Sequence, residues 1–253
     1  GTNTSCDIVW GLEVGYLDKM TSLLADISAY SNDHYVDDMK MGDGKYLVAH
    51  RYSGCIVVNT KMLAEKNLPT PTCYEDLLKP EYKNMVAMPN PKSSGTGYFF
   101  YKNWVNLWGT EKALNYVDAL YGNLKQFTES GSGPIKMLKQ GEVAIGLALT
   151  FQAVSEINDG QPFEIIYPPE GSPYSLTGTA MLDGHQDKAG VREVYDYIIH
   201  DFLIYDKEHF SPEIIYRGQD ILLNNYPQDI PYADMTGIQD DKEKERLLTL
   251  WKY

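Results

Sequence analysis

The stretch "MVAMPNPKSSGTGYFFYKNWVNLW", residues 85–108, contains a strand, a short junction and a helix start in direct succession. Its first four residues are apolar and stop before Pro89, which predicts a short buried strand over 85–88. Aromatic and apolar side chains then recur at steps of three and four residues from Tyr98 to Trp108, the spacing of one helix face. A strand that leads into a helix is the repeating unit of α/β proteins.

The junction itself is crowded with hydroxyl and glycine residues. We predict that the helix begins near Gly95 or Thr96, with Ser93 or Ser94 as its N-cap. The first amides of a helix lack intrahelical acceptors, and the peptide dipoles leave partial positive charge there. Together with the small Gly97, these residues could bind an anion through amides and hydroxyls. The alternative is an ordinary capped helix without a ligand.

A second segment, "TESGSGPIKMLKQGE" at 128–142, has the same chemistry. Pro134 suits the first turn of a helix, where its missing N–H costs nothing. Two such helix starts could converge on one anionic or polar ligand. The candidate ligand-binding residues of this second junction are Ser130, Gly131, Ser132 and Gly133.

Other residues beside predicted strand ends are weaker candidates for ligand contacts. The first strand is predicted over 6–10, and Gly11 to Glu13 form the turn at its carboxyl end, where open α/β sheets place ligands. Glu13 could accept from a ligand hydroxyl or ammonium, or it could simply be a solvated carboxylate. Tyr216 and Arg217 could also reach a ligand, although a surface arginine is the simpler interpretation. The remaining candidates are Ser53, Thr150, Gln152, Tyr174 and Thr177.

Composition restricts the possible partners. The chain has 253 residues with 35 acidic and 22 basic side chains, a formal net charge of -13, which argues against nucleic acid. No apolar run reaches the roughly 18 to 20 residues needed to span a bilayer. An anion site would therefore act locally, through helix ends and hydroxyls.

Cysteine and histidine spacing indicates no metal centre. Cys6, Cys55 and Cys73 form no CxxC pair, and the five histidines have no metal-ligand spacing. We therefore expect no bound metal, no cofactor and no disulfide framework. Because Cys6 and Cys55 lie in apolar runs, both are predicted to be buried.

An enzyme that handles phosphate esters is the alternative from another class. The sequence argues against it, because it contains no P-loop, no GxSxG elbow and no GxGxxG after a strand. A receptor-like sensor domain with the same kind of site is a third possibility that nothing in the residues distinguishes.

Five blocks taken in order carry a resemblance to a known family. They resemble the extracellular solute-binding proteins of ABC importers, in the branch of ferric-ion, hexose-phosphate and aminoethylphosphonate binders, over about residues 6 to 205. The blocks are "DIVWG", "SGCIVVNTKML", "LPTPTCYEDLLKPEYKNMVAMPNPKSSGTGY", "ESGSGPIKMLKQGEVAIGLALTFQ" and "GTAMLDG".

The resemblance implies a type II periplasmic-binding fold: two α/β lobes with mainly parallel sheets, joined by two crossing strands. The candidate crossings are 53–59 and 174–181. Lobe one is then assigned to 1–53 and 178–253, and lobe two to 54–177. Members usually begin with a further strand and helix, so we expect this chain to lack its first strand-helix unit.

The resemblance also implies a function. We expect a monomer that captures a small phosphorylated, phosphonate or carboxylate anion by cleft closure and presents it to the membrane permease subunits of an importer. Such proteins are exported by a signal peptide to the periplasm, or anchored as lipoproteins at the cell surface.

A ferric-ion-binding transport protein is the alternative ligand assignment. Ferric members of the branch bind the metal with adjacent tyrosines after the strand that here reads "EVAIGLAL". This chain has Thr150, Phe151 and Gln152 at that place, and no Tyr-Tyr pair occurs anywhere in it. An organic or phosphorylated anion is therefore the preferred prediction.

Overall fold

The computed structural model describes residues 4–253, which form two compact units. Unit 1 consists of the chain up to Tyr52 together with Leu176–Leu223, and unit 2 of Ser53–Ser175 with Asn224–Tyr253. Strands β2 (Leu47–Asn59) and β7 (Tyr174–Met181) each run through a unit boundary. The α/β class and the two crossing strands predicted from the sequence are thus present.

In unit 1, β7 lies between β1 (Ile8–Glu13) and β2 and is antiparallel to β1. The helices of this unit are α1 (Val14–Lys19), α7 (Val191–Tyr197) and α8 (Leu203–His209), with a π-helical turn over Ile198–Phe202 and 3-10 turns over Thr21–Leu23 and Asp37–Met39. Its small core is formed by Ala25, Ile27, Leu47, Met181, Val191 and Tyr195.

The first strand is longer than the sequence indicated. The predicted turn from Gly11 to Glu13 is wrong, because β1 continues to Glu13 and the register slips between Trp10 and Leu12. Gly11 has φ +72, a left-handed conformation that accommodates this bulge. Cys6, predicted to be buried, is exposed, whereas Cys55 is buried as expected.

Unit 2 contains a mixed sheet in the order β6-β2-β5-β3-β4. Strand β3 is parallel to both β4 and β5, whereas β2 is antiparallel to β5 and β6. The sheet is therefore less parallel than predicted. These strands are β3 (Val86–Pro89), β4 (Leu124–Thr128), β5 (Ile145–Leu149) and β6 (Phe163–Ile166).

The helices of unit 2 surround an aromatic core. They are α2 (Thr60–Glu65), α3 (Gly95–Trp108), α4 (Thr110–Tyr121), α5 (Gly133–Lys139), α6 (Thr150–Asn158) and α9 (Asp241–Leu250), with 3-10 turns over Glu75–Leu78 and Pro80–Tyr82. Helix α3 is buried along most of its length and contributes Tyr98, Phe99, Phe100, Tyr101 and Trp104 to the core. Burying such rings supplies much of the hydrophobic stabilisation of a domain.

Residues 224–253 belong to unit 2, whereas the sequence-based expectation placed all of 178–253 in lobe one; residues 178–223 do lie in unit 1. Trp251 packs against Tyr101 and Phe127, with ring centroids 5.0 and 5.4 Å apart. The Asn106 side-chain amide also donates to the carbonyl of Asp234 at 2.9 Å. These contacts join positions more than a hundred residues apart, so local sequence patterns could not reveal them.

Candidate functional site

Three helices begin at the same edge of the unit 2 sheet. Strands β3, β4 and β5 are parallel, so their carboxyl ends lie at one edge, and Pro89 is paired with Thr128 there. Helix α3 follows β3, α5 follows β4, and α6 begins at Thr150 directly after β5. The topology therefore concentrates positive helix ends where open α/β sheets place ligands.

The first junction is built on Asn90. Its N–H donates to the carbonyl of Thr128 at 2.8 Å, and its own carbonyl accepts from the N–H groups of Ser93 and Ser94 at 3.2 and 2.9 Å. Ser94 is the N-cap of α3, and its Oγ accepts from the N–H of Gly97 at 3.4 Å. The predicted helix start and its capping serine are confirmed.

The second junction is tied to the end of β4. The Thr128 hydroxyl donates to the carbonyl of Ser130 at 2.9 Å, and the hydroxyls of Ser130 and Ser132 are 3.2 Å apart. Ser132 occupies the N-cap position of α5 but makes no side-chain capping bond. Pro134 lies in the first turn, as predicted.

The two junctions contact each other at Gly131. A Cβ atom placed on this glycine would lie only 2.4 Å from Thr96 Oγ1 and 3.6 Å from Ser94 Oγ. The amides of Gly95 and Thr96 head α3 and have no intrahelical acceptor. Hydroxyls and backbone amides from both junctions are thus gathered in one place, and all of these donors are neutral.

Two of the predicted glycines have a packing role. A Cβ on Gly97 would lie 2.5 Å from the carbonyl oxygen of Pro89, and a Cβ on Gly133 would lie 2.3 Å from Thr128 Cβ. Both positions need glycine so that the helices can start close to the strand ends. Packing alone therefore explains why both positions are glycine, and no ligand is needed to explain it.

Ser53 and Thr150 are both buried, and their hydroxyls are hydrogen-bonded. Ser53 Oγ donates to Thr150 Oγ1 at 2.8 Å, and Thr150 Oγ1 lies 3.1 Å from the Tyr167 hydroxyl. Tyr167, which directly follows β6, was not among the predicted site residues. This hydroxyl chain anchors the start of α6, and the Ser53 hydroxyl proton is used within it.

Gln152 and Tyr174 complete the unit 2 candidates. Gln152 lies in the first turn of α6, and its buried Oε1 has no hydrogen-bond partner within residues 4–253. Tyr174 packs edge-on against Tyr232, with ring centroids 5.4 Å apart. Gln152 therefore keeps an acceptor available at the same sheet edge as the two junctions.

The remaining candidates belong to unit 1. Glu13 is paired with Thr177 across β1 and β7, and Gly11 is exposed at the bulge. Thr177 Oγ1 lies 3.0 Å from His50 Nδ1, so this hydroxyl is occupied by an internal hydrogen bond.

His50, which the sequence did not single out, is the centre of a buried polar network. Its Nε2 lies 2.9 Å from the Asp206 carboxylate, which can only accept, so Nδ1 accepts from the Thr177 hydroxyl. The imidazole stacks on Tyr52 at 4.7 Å and is fully buried. Burial lowers the pKa of His50, although the Asp206 hydrogen bond opposes this effect.

This network predicts a pH-dependent stability. Because the folded-state pKa of His50 lies below its ordinary value of 6.5, protonation favours unfolding. The stabilisation is complete above pH 6.5 and is lost as the pH falls, by up to about 1.4 kcal/mol per pH unit. Urea titrations of wild type and His50→Gln should therefore converge below pH 6.5.

The exposed His209→Gln variant is the matched control and should follow the wild-type curve. A constant difference in unfolding free energy between wild type and His50→Gln from pH 8 to pH 5 would contradict this account.

Residues 4–253 contain no group of three or more His, Cys, Asp or Glu side chains arranged to hold a metal ion. None of the helices formed by these residues is long and apolar enough to cross a membrane.

Solved structures share this fold. The periplasmic binding protein AfuA of Actinobacillus pleuropneumoniae, solved with exogenous fructose-6-phosphate bound, is 22% identical, with a TM-score of 0.84 over 99% of this chain and 82% of that chain. The apo ferric ion-binding protein A of Pasteurella haemolytica is 16% identical, with a TM-score of 0.77 over 99% and 82% of the two chains. Likeness at these identities establishes the fold.

Curated proteins match in sequence. An uncharacterized protein of Haemophilus influenzae is 30% identical over 172 residues, which cover 68% of this chain and 47% of that protein. The spermidine/putrescine-binding periplasmic protein of Salmonella typhimurium is 22% identical over 199 residues, 73% of this chain and 56% of that protein. The chain spans about half the length of these relatives.

The family match covers most of the chain. The family described as "Bacterial extracellular solute-binding protein" matches residues 12–203. This range includes both hydroxyl- and glycine-rich junctions, the sheet edge that they follow and the two strands that pass between the units. The chain belongs to the bacterial extracellular solute-binding proteins.

Proposed function

We propose that this protein is the solute-binding component of an ABC-type importer and captures a small phosphorylated, phosphonate or carboxylate anion. The observation that carries the proposal is the contact of the two junctions at Gly131, where Thr96 and Ser94 lie beside the second serine-glycine segment. Family membership supports the transport role, and a fructose-6-phosphate complex of a protein with the same fold supports the ligand class.

The chemistry of the donors favours an anion over a cation. The amides of Gly95 and Thr96 can only donate, and the hydroxyls of both junctions can donate to a ligand oxygen. Hydrogen bonds to a charged acceptor are stronger than those between neutral groups. A polyamine, the ligand named for the Salmonella relative, would instead need carboxylates, and neither 93–97 nor 130–133 contains one.

The proposed transport cycle follows from differential binding. A solute that binds one conformation more tightly shifts the population toward it, and the membrane permease subunits would recognise that liganded form. We place the protein outside the cytoplasm, in the periplasm or anchored at the cell surface, and propose that it acts as a monomer.

A ligand screen tests the proposal. Thermal shift and native mass spectrometry should show stabilisation by one class among phosphate esters, phosphonates and dicarboxylates, because a ligand selective for the folded state raises apparent stability. If only ferric iron or only spermidine stabilised the protein, its ligand would be a cation and the anion assignment would be wrong. Turnover of a phosphate ester without tight retention would favour the enzyme alternative.

Two serine variants locate the site. Ser94→Ala and Ser132→Ala should each weaken binding of the identified anion by about 1 kcal/mol or more, if their hydroxyls donate to a charged group. Ser132 is the cleaner test, because it makes no capping bond, whereas loss of the Ser94 cap also costs about 1 kcal/mol of stability. Calorimetric titration measures both affinities.

The exposed Ser155→Ala on α6 is the control and should bind like wild type. Unchanged affinity in both junction variants would move the site elsewhere in the molecule.

A further inference from the structure

Unit 1 contains a separate pocket of about 840 Å³. Its walls come from the segment 29–34, from helices α7 and α8 with the π-helical turn between them, and from the segment 216–221. This volume lies in the range typical of pockets for small organic molecules. All of these residues belong to unit 1, so the pocket is independent of the junctions in unit 2.

The pocket is basic although the protein is acidic overall. Its cationic side chains are Arg192, Lys207 and Arg217, against one carboxylate, Asp196, and the imidazoles of His34 and His200 also line it. Asp196 already accepts a hydrogen bond from the Tyr30 hydroxyl. In a chain with net charge -13, such a local excess of cationic groups favours a negatively charged occupant.

Lys207 is the most unusual member of this lining. Its side chain is fully buried, and its ammonium makes no hydrogen bond to any residue in 4–253. Burial lowers the pKa of Lys207 to about 8, and the charges of Asp206 and Glu213 only partly oppose this effect. A buried donor without an acceptor is costly, and a ligand oxygen would relieve that cost.

Within residues 4–253, the side chains of the two arginines pair with exposed aspartates. Arg217 pairs with Asp37, and Arg192 lies 3.7 Å from Asp187, while the two aspartate side chains are 85% and 81% exposed. Exposed ion pairs contribute little to stability, so a ligand carboxylate could exchange with either aspartate at small cost.

Much of the remaining wall is apolar or aromatic. Ile199, Ile204 and Ile221 line the pocket, and the His34 ring stacks on Tyr216 with centroids 4.9 Å apart. Such surfaces favour a ring or short hydrocarbon over a strongly hydrated ion.

We propose that this unit 1 pocket binds a small carboxylate with an aromatic or apolar body, with its carboxylate toward Lys207 and the arginines and its body against the isoleucines. The site is additional to the proposed solute site and does not depend on it.

Benzoate is the probe, and benzyl alcohol is its uncharged counterpart. Calorimetric titration of the wild-type protein should give at least tenfold tighter binding for benzoate. Lys207→Met keeps most of the length of the side chain, removes the charge and should lower benzoate affinity at least tenfold. Lys188 is a basic residue of unit 1 outside this pocket, so the control variant Lys188→Met should leave benzoate affinity unchanged.

A second variant leaves Lys207 in place. Ile204→Trp fills part of the pocket from a half-exposed position and should also abolish benzoate binding, so the test survives if Lys207→Met fails to fold. Wild-type affinity should fall about tenfold between pH 7 and pH 9 as the ammonium is lost. Equal affinity for both probes, or wild-type benzoate affinity in a folded Lys207→Met or Ile204→Trp, would overturn the proposal.

Discussion

Gly97→Ala is expected to lower the free energy of unfolding by roughly 2 to 3 kcal/mol. The added Cβ would lie 2.5 Å from the carbonyl oxygen of Pro89, 2.6 Å from the carbonyl carbon of Asn90 and 2.7 Å from the nitrogen of Pro91. These are backbone atoms, which cannot rotate away as a side chain could. Helix α3 would therefore have to shift from the end of β3, and its buried aromatic face would shift with it.

Urea denaturation followed by circular dichroism measures this loss. The control is Gly122→Ala at the end of α4, where φ is -61 and the added Cβ would lie 3.4 Å from the nearest atom, the carbonyl oxygen of Ala119. That variant should stay within about 0.5 kcal/mol of wild type. If the two alanine variants were equally stable, the close approach of α3 to β3 would be wrong.

Gly131→Ala is expected to weaken binding of the captured anion at least tenfold while leaving the fold intact. Its Cβ would lie 2.4 Å from Thr96 Oγ1 and 3.0 Å from Thr96 Cβ, so the methyl group would separate the two junctions. The atoms in the way belong to the short side chain of Thr96, on a partly accessible junction. A small displacement of that side chain would relieve the overlap, so the loss of stability should be much smaller than in Gly97→Ala. The hydroxyls and amides of the two junctions would then lie too far apart to bind one anion together, as the proposed site requires.

Calorimetry with the anion identified by the screen measures the affinity, and urea denaturation reports the stability of the same variant. Gly122→Ala again serves as the control. Wild-type affinity in a stably folded Gly131→Ala would show that the ligand does not depend on the contact between the junctions, and the proposed site would have to be abandoned.

Local chemistry explains why the first junction could be predicted. The start of α3 depends on a capping serine, an apolar period and a strand that ends at a proline, and all of these lie within residues 85–108. The same reasoning located Pro134 in the first turn of α5. The actual contact between Gly131 and Thr96 could not be derived in this way, because it depends on the pairing of β3 with β4.

Several features escaped prediction for one reason, which is that they depend on distant contacts. The hydroxyl of Thr177 is occupied by His50, and Ser53 is occupied by Thr150, so neither is the free donor that its position in the sequence indicated. Lys207 sits in a charged stretch of a helix, where a lysine is usually solvated, yet it is fully buried.

The amino-acid sequence alone determined the α/β class, the capped start of α3 and the two hydroxyl-rich junctions, because these follow from propensity, capping and periodicity over a few neighbouring residues. The tertiary structure decided which junctions meet, which hydroxyls are already paired, that residues 224–253 pack with unit 2, and that Lys207 is buried. Those outcomes depend on strand register and side-chain packing between segments far apart in the chain, and no local pattern encodes them.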